Sequence, residues 1–187
     1  MSEVLVICGS LRKGSYNAIV ARTLPELAPA GMNLTAAKPF DKFPFFNADV
    51  QASGGFSADV QAFADQIRAA DGVIFVTPEY NFSMPGALKN ALDWVSRLPS
   101  QPFIGKPVAI QSASTSQVGG ARMQYHLRQT MVFLDALVFT RPEIFIAHAP
   151  TKFDEKAGTF TDQTGRDLIK KQLEGFEKFI ERVSPKK

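Results

Sequence analysis

Residues 72–94 read Gly-Val-Ile-Phe-Val-Thr-Pro-Glu-Tyr-Asn-Phe-Ser-Met-Pro-Gly-Ala-Leu-Lys-Asn-Ala-Leu-Asp-Trp, and they decide the fold class. The apolar run at 72–76 predicts a strand buried on both faces, and Pro85 opens a helical pattern. Between them lies a loop of polar, aromatic and proline residues that offers many backbone amides and few titrating groups. A parallel strand that delivers such a loop to the edge of a sheet is typical of a site for a flat, polar-edged cofactor.

Strand-like and helix-like segments alternate along the rest of the chain. We predict strands at 4–8, 32–37, 72–77, 107–112 and 137–146, and helices at 17–27, 57–70, 85–97, 121–134 and 162–183. Residues 39–55, rich in Pro, Phe and Gly, form the longest stretch predicted to be irregular. This alternation favours an α/β fold, a doubly wound parallel sheet with helices on both faces, in a single domain over 1–187.

The composition is that of an ordinary globular protein. Hydrophobic residues make up 45% and charged residues 21% of the 187 residues, with a net charge of +3. Most Lys and Arg alternate with acids, and only Lys186 and Lys187 make a basic end, so nucleic-acid binding is not indicated. No signal peptide is recognisable and no apolar segment approaches the roughly 20 residues of a membrane span, so we expect a cytoplasmic protein without membrane contact.

The chain offers little for metal or thiol chemistry. Cys8 is the sole cysteine and lies at the end of an apolar run, so we expect a small buried thiol rather than a reactive one. His126 and His148 have no second His, Cys or acidic partner at metal-ligand spacing, and no metal site is predicted. The G-x-S-x-G elbow of serine hydrolases is absent as well.

Residues 9–17, Gly-Ser-Leu-Arg-Lys-Gly-Ser-Tyr-Asn, run from the first predicted strand into the first helix. Unpaired amides at a helix N-terminus favour an anion, and Ser10, Arg12, Ser15 and Asn17 add donors. The order of residues matches neither the Gly-Lys-Ser/Thr of triphosphate loops nor G-x-G-x-x-G, so a terminal monophosphate fits better. The alternative is a turn in which Ser15 or Asn17 caps the helix, and capping and binding can coexist.

The loop after Thr77 and the Ser/Thr/Gly segment 112–120 leave the same edge of the predicted sheet as residues 9–17. The amides of 79–82 can donate to the acceptor edge of a flavin ring, where they would stabilise the negative charge of its reduced form. Tyr80 and Phe82 either shield a face of the ring or anchor the loop. For Glu79 we favour a positioning role over that of a general acid.

These motifs carry a family resemblance. Residues 9–17, the Pro78-Glu79-Tyr80-Asn81 segment through Asp93-Trp94, and Gly119-Gly120-Ala121-Arg122 together resemble the NADPH-dependent FMN reductase family, especially its quinone and chromate reductase branch. The similarity extends over residues 4–183. It implies a flavodoxin-like fold with a five-stranded parallel sheet of order 2-1-3-4-5, non-covalently bound FMN, NADPH (or NADH) as co-substrate, and a homodimer or homotetramer.

The resemblance also implies which residues bind the cofactor. The FMN phosphate would be held by Ser10, Arg12, Ser15 and Asn17. The isoalloxazine ring would be lined by Pro78, Glu79, Tyr80, Asn81 and Ser83. The third loop would close over the ring through Ser114 and Gly119, although it reads Thr115-Ser116-Gln117-Val118 where the family often has glycine. No side chain is expected to be catalytic, because flavin N5 carries the chemistry.

We therefore predict an oxidoreductase that passes two electrons from NAD(P)H through FMN, by a ping-pong route, to a quinone. Chromate, azo and nitro compounds and free flavin are further possible acceptors. One alternative is a flavodoxin-like electron carrier without its own substrate turnover, although such carriers are expected to be acidic around the flavin and this chain is slightly basic. A second alternative is a regulatory or scaffold protein that retains FMN only for stability.

The helical patterns at 85–98 and 121–134 are apolar around more than one face. A sheet already covers one face of each, so the second face favours a homo-oligomer. Candidate polar contacts in such an interface, each equally readable as part of a solvated surface, are Arg122, Tyr125, Arg128 and Glu143.

Overall fold

A computed structural model describes residues 1–184, so the basic end at Lys186 and Lys187 lies outside the described residues. A parallel sheet forms its centre. Its strands are β1 (Ser2–Cys8), β2 (Met32–Ala36), β3 (Gly72–Val76), β4 (Pro107–Ala113), β5 (Leu137–Val138) and β6 (Ile144–Ile146). Their order is β2-β1-β3-β4-β5, with β6 paired to β4 as well. The predicted doubly wound order is confirmed.

Helices cover both faces of this sheet. They are α1 (Tyr16–Leu27), α2 (Ala48–Gly54), α3 (Ala58–Ala69), α4 (Gly86–Val95), α5 (Ala121–Phe133) and α6 (Gln163–Val183). Buried residues of α1 and α6 form one core cluster with the sheet, and those of α3, α4 and α5 form the other. Among the described residues, no helix combines the length and apolarity needed to cross a bilayer.

Strand β1 shows why the central strands are uniformly apolar. Val4 and Val6 point into the α1–α6 cluster, whereas Leu5 and Ile7 point into the cluster of α3, α4 and α5. All four side chains are at most 5% exposed. Because helices cover both faces, successive side chains meet protein on either side, and the alternation of a half-exposed strand disappears.

The fifth strand, predicted to run unbroken over 137–146, is interrupted. Its two halves, β5 and β6, both pair in parallel with β4, but after Phe139 N, which donates to Val108 O, residues 140–143 do not continue the ladder. Pro142, which follows a cis peptide bond, has no N–H to donate to β4. One strand position of the sheet is therefore filled by two short strands.

Two short elements fall within segments predicted to be irregular. Helix α2 lies inside 39–55, and a hairpin of β7 (Phe153–Asp154) and β8 (Thr159–Phe160) follows β6. Helix α2 buries no residue and is held by local capping, since the Asn47 Oδ1 accepts a hydrogen bond from Asp49 N at 2.9 Å. Without a buried face it has no apolar period, which is why its sequence pattern did not reveal it.

Candidate functional site

Loops from the carboxyl ends of β1, β3 and β4 meet at one edge of the sheet. We call residues 9–15 loop 1, 77–85 loop 2 and 114–120 loop 3. Their bases are in direct contact, because Gly9 N donates to Val76 O and Thr77 N donates to Gln111 O, both at 3.0 Å. A Cβ on Gly9 would lie 2.0 Å from Thr77 Oγ1, so glycine is required for loops 1 and 2 to approach this closely.

The helices that follow these loops receive no side-chain hydrogen bond from their own N-cap residues. In the first turns of α2, α3 and α6 a backbone amide donates to the N-cap side chain, which is Asn47, Ser57 and Asp162 respectively, whereas the N-cap residues of α1, α4 and α5 accept no such bond. Ser15 occupies the cap position of α1 and is only 3% exposed, yet its side chain does not cap the helix. Loop 1 contains two cations and no acid, so its helix terminus favours an anion.

Asn17 joins loop 1 to the strand that carries loop 3. Its Nδ2 donates to Ala113 O at 2.8 Å, and its Oδ1 accepts from Ala113 N at 2.9 Å. The side chain is 3% exposed, so this pair of bonds is shielded from water. One amide hydrogen of Asn17 is left over, and the predicted contact with a phosphate stays a prediction. The observed contacts make Asn17 a clamp between the two loops.

Glu79 caps helix α5 from loop 2. Its Oε2 accepts from Met123 N and its Oε1 pairs with the Arg122 guanidinium, both at 3.2 Å. The Glu79 side chain is 9% exposed. A carboxylate at this position satisfies an unpaired amide and stabilises the positive end of the helix dipole. With both oxygens engaged, Glu79 holds loop 2 against the start of α5, and its role toward a cofactor stays a prediction.

Loop 2 contains a tight two-residue turn. Tyr80 N donates to Ser83 O at 2.9 Å, and Ser83 N donates back to Tyr80 O at 3.0 Å. The residues between them, Asn81 and Phe82, both have positive φ (50° and 67°), as a type I′ turn requires. Ser83 Oγ also lies 3.1 Å from His126 Nδ1, which links the turn to α5.

The aromatic rings of loop 2 lie at the surface. Tyr80 is 50% and Phe82 62% exposed. The guanidinium of Arg122 stacks over the Phe82 ring at 4.1 Å, a cation–π contact that fixes the ring against the start of α5. Pro78, by contrast, is buried at the base of the loop. The Phe82 contact favours the anchoring interpretation for that ring, and Tyr80 is left with an accessible face.

The backbone conformation of loop 3 depends on two adjacent glycines. Gly119 and Gly120 have φ of 60° and 89°, and a Cβ on Gly119 would lie 2.8 Å from the Phe145 carbonyl carbon. Ser112 Oγ donates to Gly119 O at 2.6 Å and accepts from Gln124 Nε2 at 2.8 Å. The sequence analysis named Gly119 as a binding residue, included Gly120 and Ser112 only as parts of a motif and a loop, and did not single out Gln124. The Gly-Gly pair was the signal for a left-handed turn at Gly120.

The remaining predicted residues lie on the accessible side of the same three loops. Ser10 is partly exposed and Arg12 is exposed. Ser114 Oγ accepts a hydrogen bond from Ser116 N at 3.1 Å, and Asn81 is exposed at the tip of the loop 2 turn. The structure therefore brings all the sequence-selected residues to one edge of the sheet. Within residues 1–184, no group of three or more His, Cys, Asp or Glu side chains is placed to hold a metal ion.

Comparison with known proteins identifies the family. Residues 2–151 match the family model for NADPH-dependent FMN reductases. The chain belongs to this family. It is 54% identical over 181 residues to a quinone reductase of Escherichia coli strain K12, with 97% of this chain and 96% of the relative covered. It is 48% identical over 181 residues to an NAD(P)H-dependent FMN reductase of Pseudomonas aeruginosa, at the same coverage.

A solved structure shares the fold over nearly its whole length. The flavoenzyme NAD(P)H:(acceptor) oxidoreductase FerB of Paracoccus denitrificans superimposes with a TM-score of 0.85 at 30% identity, covering 98% of this chain and 99% of that one. The flavodoxin-like fold is thereby confirmed. Family membership gives the chain FMN as cofactor and NAD(P)H as reductant.

The residues present fit a mononucleotide flavin. Loop 1 combines an uncapped helix terminus, a buried Ser15 hydroxyl and an exposed Arg12 without any acidic group, which suits a terminal phosphate. The turn at Asn81 and Phe82 holds the backbone of loop 2 in one conformation beside it. Asn17 and Glu79 hold the elements on either side of loop 3, since they bind the end of β4 and the start of α5.

Proposed function

We propose that this protein is an FMN-dependent reductase that takes electrons from NAD(P)H and delivers two of them to a quinone. The observation that carries the proposal is the meeting of an uncapped, acid-free helix N-terminus with two rigid loops at the carboxyl edge of the sheet. The first suits the phosphate of FMN and the others suit its ring.

The binding roles follow the three loops. In loop 1, Ser10, Arg12 and Ser15 hold the phosphate, and Asn17 fixes the loop that carries them. Loop 2 lines the ring with Pro78, Glu79, Tyr80, Asn81 and Ser83. Loop 3 closes the site with Ser114 and Gly119. The two oxygens of Glu79 are bound to α5, so that side chain orients the loops and donates no proton.

Bound FMN supplies the reversible two-electron chemistry, and the chain supplies orientation and electrostatics. The amides of Asn81 and Phe82, which are not used within the turn, would donate to the edge of the ring where negative charge develops on reduction and would lower the energy of the reduced form. The half-exposed Tyr80 leaves one side of the site open to small planar molecules. NAD(P)H and the acceptor use this opening in turn, and a ping-pong rate law follows.

A quinone is the preferred acceptor because relatives at 54% identity carry the name quinone reductase. Initial rates measured with NADPH and a benzoquinone, each varied at several fixed concentrations of the other, are expected to give parallel double-reciprocal lines. Intersecting lines would contradict a shared opening. Chromate, azo dyes and free FMN tested in the same assay would rank the other acceptors.

An electron carrier is the second candidate, and the charges at the site disfavour it. Glu79 is the one acid in loops 1, 2 and 3, and it is paired with Arg122. Carriers rely on an acidic rim to steer their redox partners. Reductive titration separates the two functions, since a carrier would accumulate a one-electron state and leave NAD(P)H unconsumed at steady state.

The first experiment is an absorption spectrum of the purified protein. Flavin bands that bleach on addition of NADPH and return with a quinone are expected. A colourless protein that FMN does not reconstitute would overturn the proposal.

The residue test is Arg12→Ala, with Arg141→Ala as a control that removes an exposed arginine outside the loops. Arg12→Ala should weaken FMN binding by about 1–3 kcal/mol, the scale of a hydrogen bond to a charged group. Equal FMN dissociation constants in the two variants would remove Arg12 from the site.

A homodimer or homotetramer is also proposed. Large apolar side chains are exposed on α5 and beside it: Ile104, Tyr125, Val132 and Phe133, at 63%, 55%, 77% and 73%. Burial in an interface would remove this apolar surface from water. Light scattering on wild type and on Val132→Asp/Phe133→Asp is the measurement, and a monomeric wild type would contradict the proposal. A reductase drawing on NAD(P)H would work in the cytoplasm.

A further inference from the structure

A cleft of about 1100 Å³ lies behind loop 1, on the α1 side of the edge strand β2. We call it the β2 cleft. Its floor is formed by Val6 and Cys8 of β1 and Leu34 and Ala36 of β2, and its wall by Ala18 and Ala21 of α1. The buried side chains of α1, including Ile19 and Leu24, pack towards the centre of the sheet. The small residues on the flank of α1 do not cover β2, and the space left between α1 and β2 is the cleft with its apolar walls.

The mouth of the β2 cleft carries more positive than negative charge. Arg22, Lys38 and Lys42 line it together with Asp41 and Asp59. In the part of the chain that the structure describes, none of these five groups forms a salt bridge. Loop 1, whose Ser10 and Leu11 also line the cleft, adds Arg12 and Lys13. This arrangement suits a planar ligand that bears phosphate, because the ring can contact the apolar walls and the phosphate can pair with the cations at the mouth.

The position of the cleft relative to the flavin site restricts the ligand further. Strand β2 lies two positions from β3 and three from β4, which is about 10–15 Å at the spacing of neighbouring strands. Ser10 and Leu11 belong to loop 1 and to the cleft alike, so the two sites are continuous. A dinucleotide with one base at loops 2 and 3 can reach the cleft with the other, because two riboses and a diphosphate separate its bases.

We propose that the β2 cleft binds the adenosine 2′-phosphate half of NADPH, with Arg22, Lys38 and Lys42 meeting its phosphate groups. The inference rests on the proposed function, since it assigns part of the reductant of that reaction. It gives the chain a physical basis for preferring NADPH to NADH. The extra phosphate brings two negative charges to a region where the cations have no protein partner.

Cys8 provides a direct binding test, because the only thiol of the chain lies on the cleft floor. The FMN-loaded protein is alkylated with a maleimide in the presence of adenosine 2′,5′-bisphosphate or of adenosine 5′-diphosphate. We expect the 2′,5′-bisphosphate to slow alkylation at least fivefold, at concentrations where the 5′-diphosphate changes the rate less than twofold. Equal protection by both, or by neither, would overturn the assignment. Equal protection by excess free FMN would make the cleft a second flavin site, which also overturns it.

A charge-matched pair of variants tests the cations. Arg22→Gln/Lys38→Gln removes two charges at the cleft, and Lys170→Gln/Lys171→Gln removes two from the exposed surface of α6. The first should raise the NADPH KM about tenfold, equivalent to about 1.4 kcal/mol, with kcat retained. Its KM for NADH and its FMN dissociation constant should each change less than twofold.

The outcomes separate this inference from the proposed function. A protein without FMN would fail the function itself. An FMN enzyme in which both double variants show the same NADPH KM would retain the function and lose the inference. A parallel rise in the KM values of NADPH and NADH would also overturn it, because the 2′-phosphate would not be the group recognised.

Discussion

The centre of the sheet and its β2 edge handle polar groups in opposite ways. At the centre, loops 1, 2 and 3 are joined by a polar seam, by which we mean the hydrogen bonds of Asn17, Glu79, Ser112 and Gln124. At the edge, the cations of the β2 cleft have no ion-pair partner within residues 1–184. The seam satisfies most of its polar groups inside the protein, the exception being the buried Gln124 Oε1, whereas the cleft leaves its cations for a ligand.

The seam is therefore preorganised before a ligand binds, whereas the cations of the cleft gain their partners only when a ligand binds. In the seam, side chains at the bases of the loops bond to the backbone of a neighbouring strand, loop or helix, so the loops keep one arrangement before any cofactor arrives. Such buried bonds are costly to break, because the partner group stays buried without water. Groups at the cleft are hydrated, so removing one changes ligand recognition more than stability. Variants can test this contrast.

The largest effect on stability is expected for Asn17→Ala. It leaves the buried N and O of Ala113 without their side-chain partner, at about 1–3 kcal/mol for each unsatisfied group. We expect the free energy of unfolding to fall by about 2–4 kcal/mol, measured by urea denaturation of the FMN-free protein. FMN affinity should fall as well, because loops 1 and 3 lose their connection.

Asn33→Ala is the matched control. The Asn33 side chain bonds to the carboxylate of Glu3 at the exposed end of β2, so its loss should cost less than about 0.5 kcal/mol. If the two asparagine variants lost similar stability, the seam would have no special energetic role.

The same substitution should have opposite signs at two glycines. Gly9→Ala places a Cβ 2.0 Å from Thr77 Oγ1 and 2.5 Å from Thr77 Cβ, and we expect a loss of about 1–3 kcal/mol from overpacking. Gly54→Ala, in α2, meets nothing within 4 Å and should stabilise by about 0.4–1 kcal/mol through the unfolded chain. Thermal unfolding of both variants measures the contrast. A neutral Gly9→Ala would mean that loops 1 and 2 are not tightly apposed.

A smaller loss is expected for Glu79→Gln. The amide retains an acceptor for Met123 N but loses the charge that pairs with Arg122, whose side chain is 47% exposed. We expect about 1 kcal/mol, above the 0–0.5 kcal/mol expected for Asp93→Asn, which breaks the exposed pair with Lys89. Urea denaturation of the two variants compares the pairs. Retained kcat with a quinone, at saturating FMN, is expected if Glu79 positions loops and transfers no proton.

The elements that sequence could predict are those with a packing signal. The apolar runs of β1, β3 and β4 and the periodic faces of α1, α3 and α5 each reflect burial, so the doubly wound parallel sheet followed from their alternation. The order of its strands followed from the family resemblance. The loops could be placed at one edge because the carboxyl ends of parallel strands meet there. The site was therefore predictable at the level of which segments form it.

The details that escaped prediction depend on contacts between distant residues. Nothing local to Asn17 indicates that its amide bonds to Ala113, which is 96 residues away. The ladder with β4 ends at Val138 of β5 and resumes at Ile144 of β6, and α2 has no buried face to give it a period. The β2 cleft arises from small side chains on α1 and β2 that look unremarkable in either segment alone.

The smallest effect concerns the thiol of the cleft. Burial raises the pKa of Cys8 above its ordinary value of 9.0, and a backbone hydrogen bond of Ser10 and the charge of Arg22 counter part of that rise. The thiol should therefore stay protonated through pH 7–9, and the midpoint of its alkylation rate against pH should lie above 9.0. Arg22→Gln should move this midpoint higher still, because a positive charge that favours the thiolate is lost, whereas Lys170→Gln should leave it in place. A midpoint below 9.0 would mean that water reaches the Cys8 thiol more readily than the structure indicates. The floor of the cleft would then not be the apolar surface that an adenine ring requires.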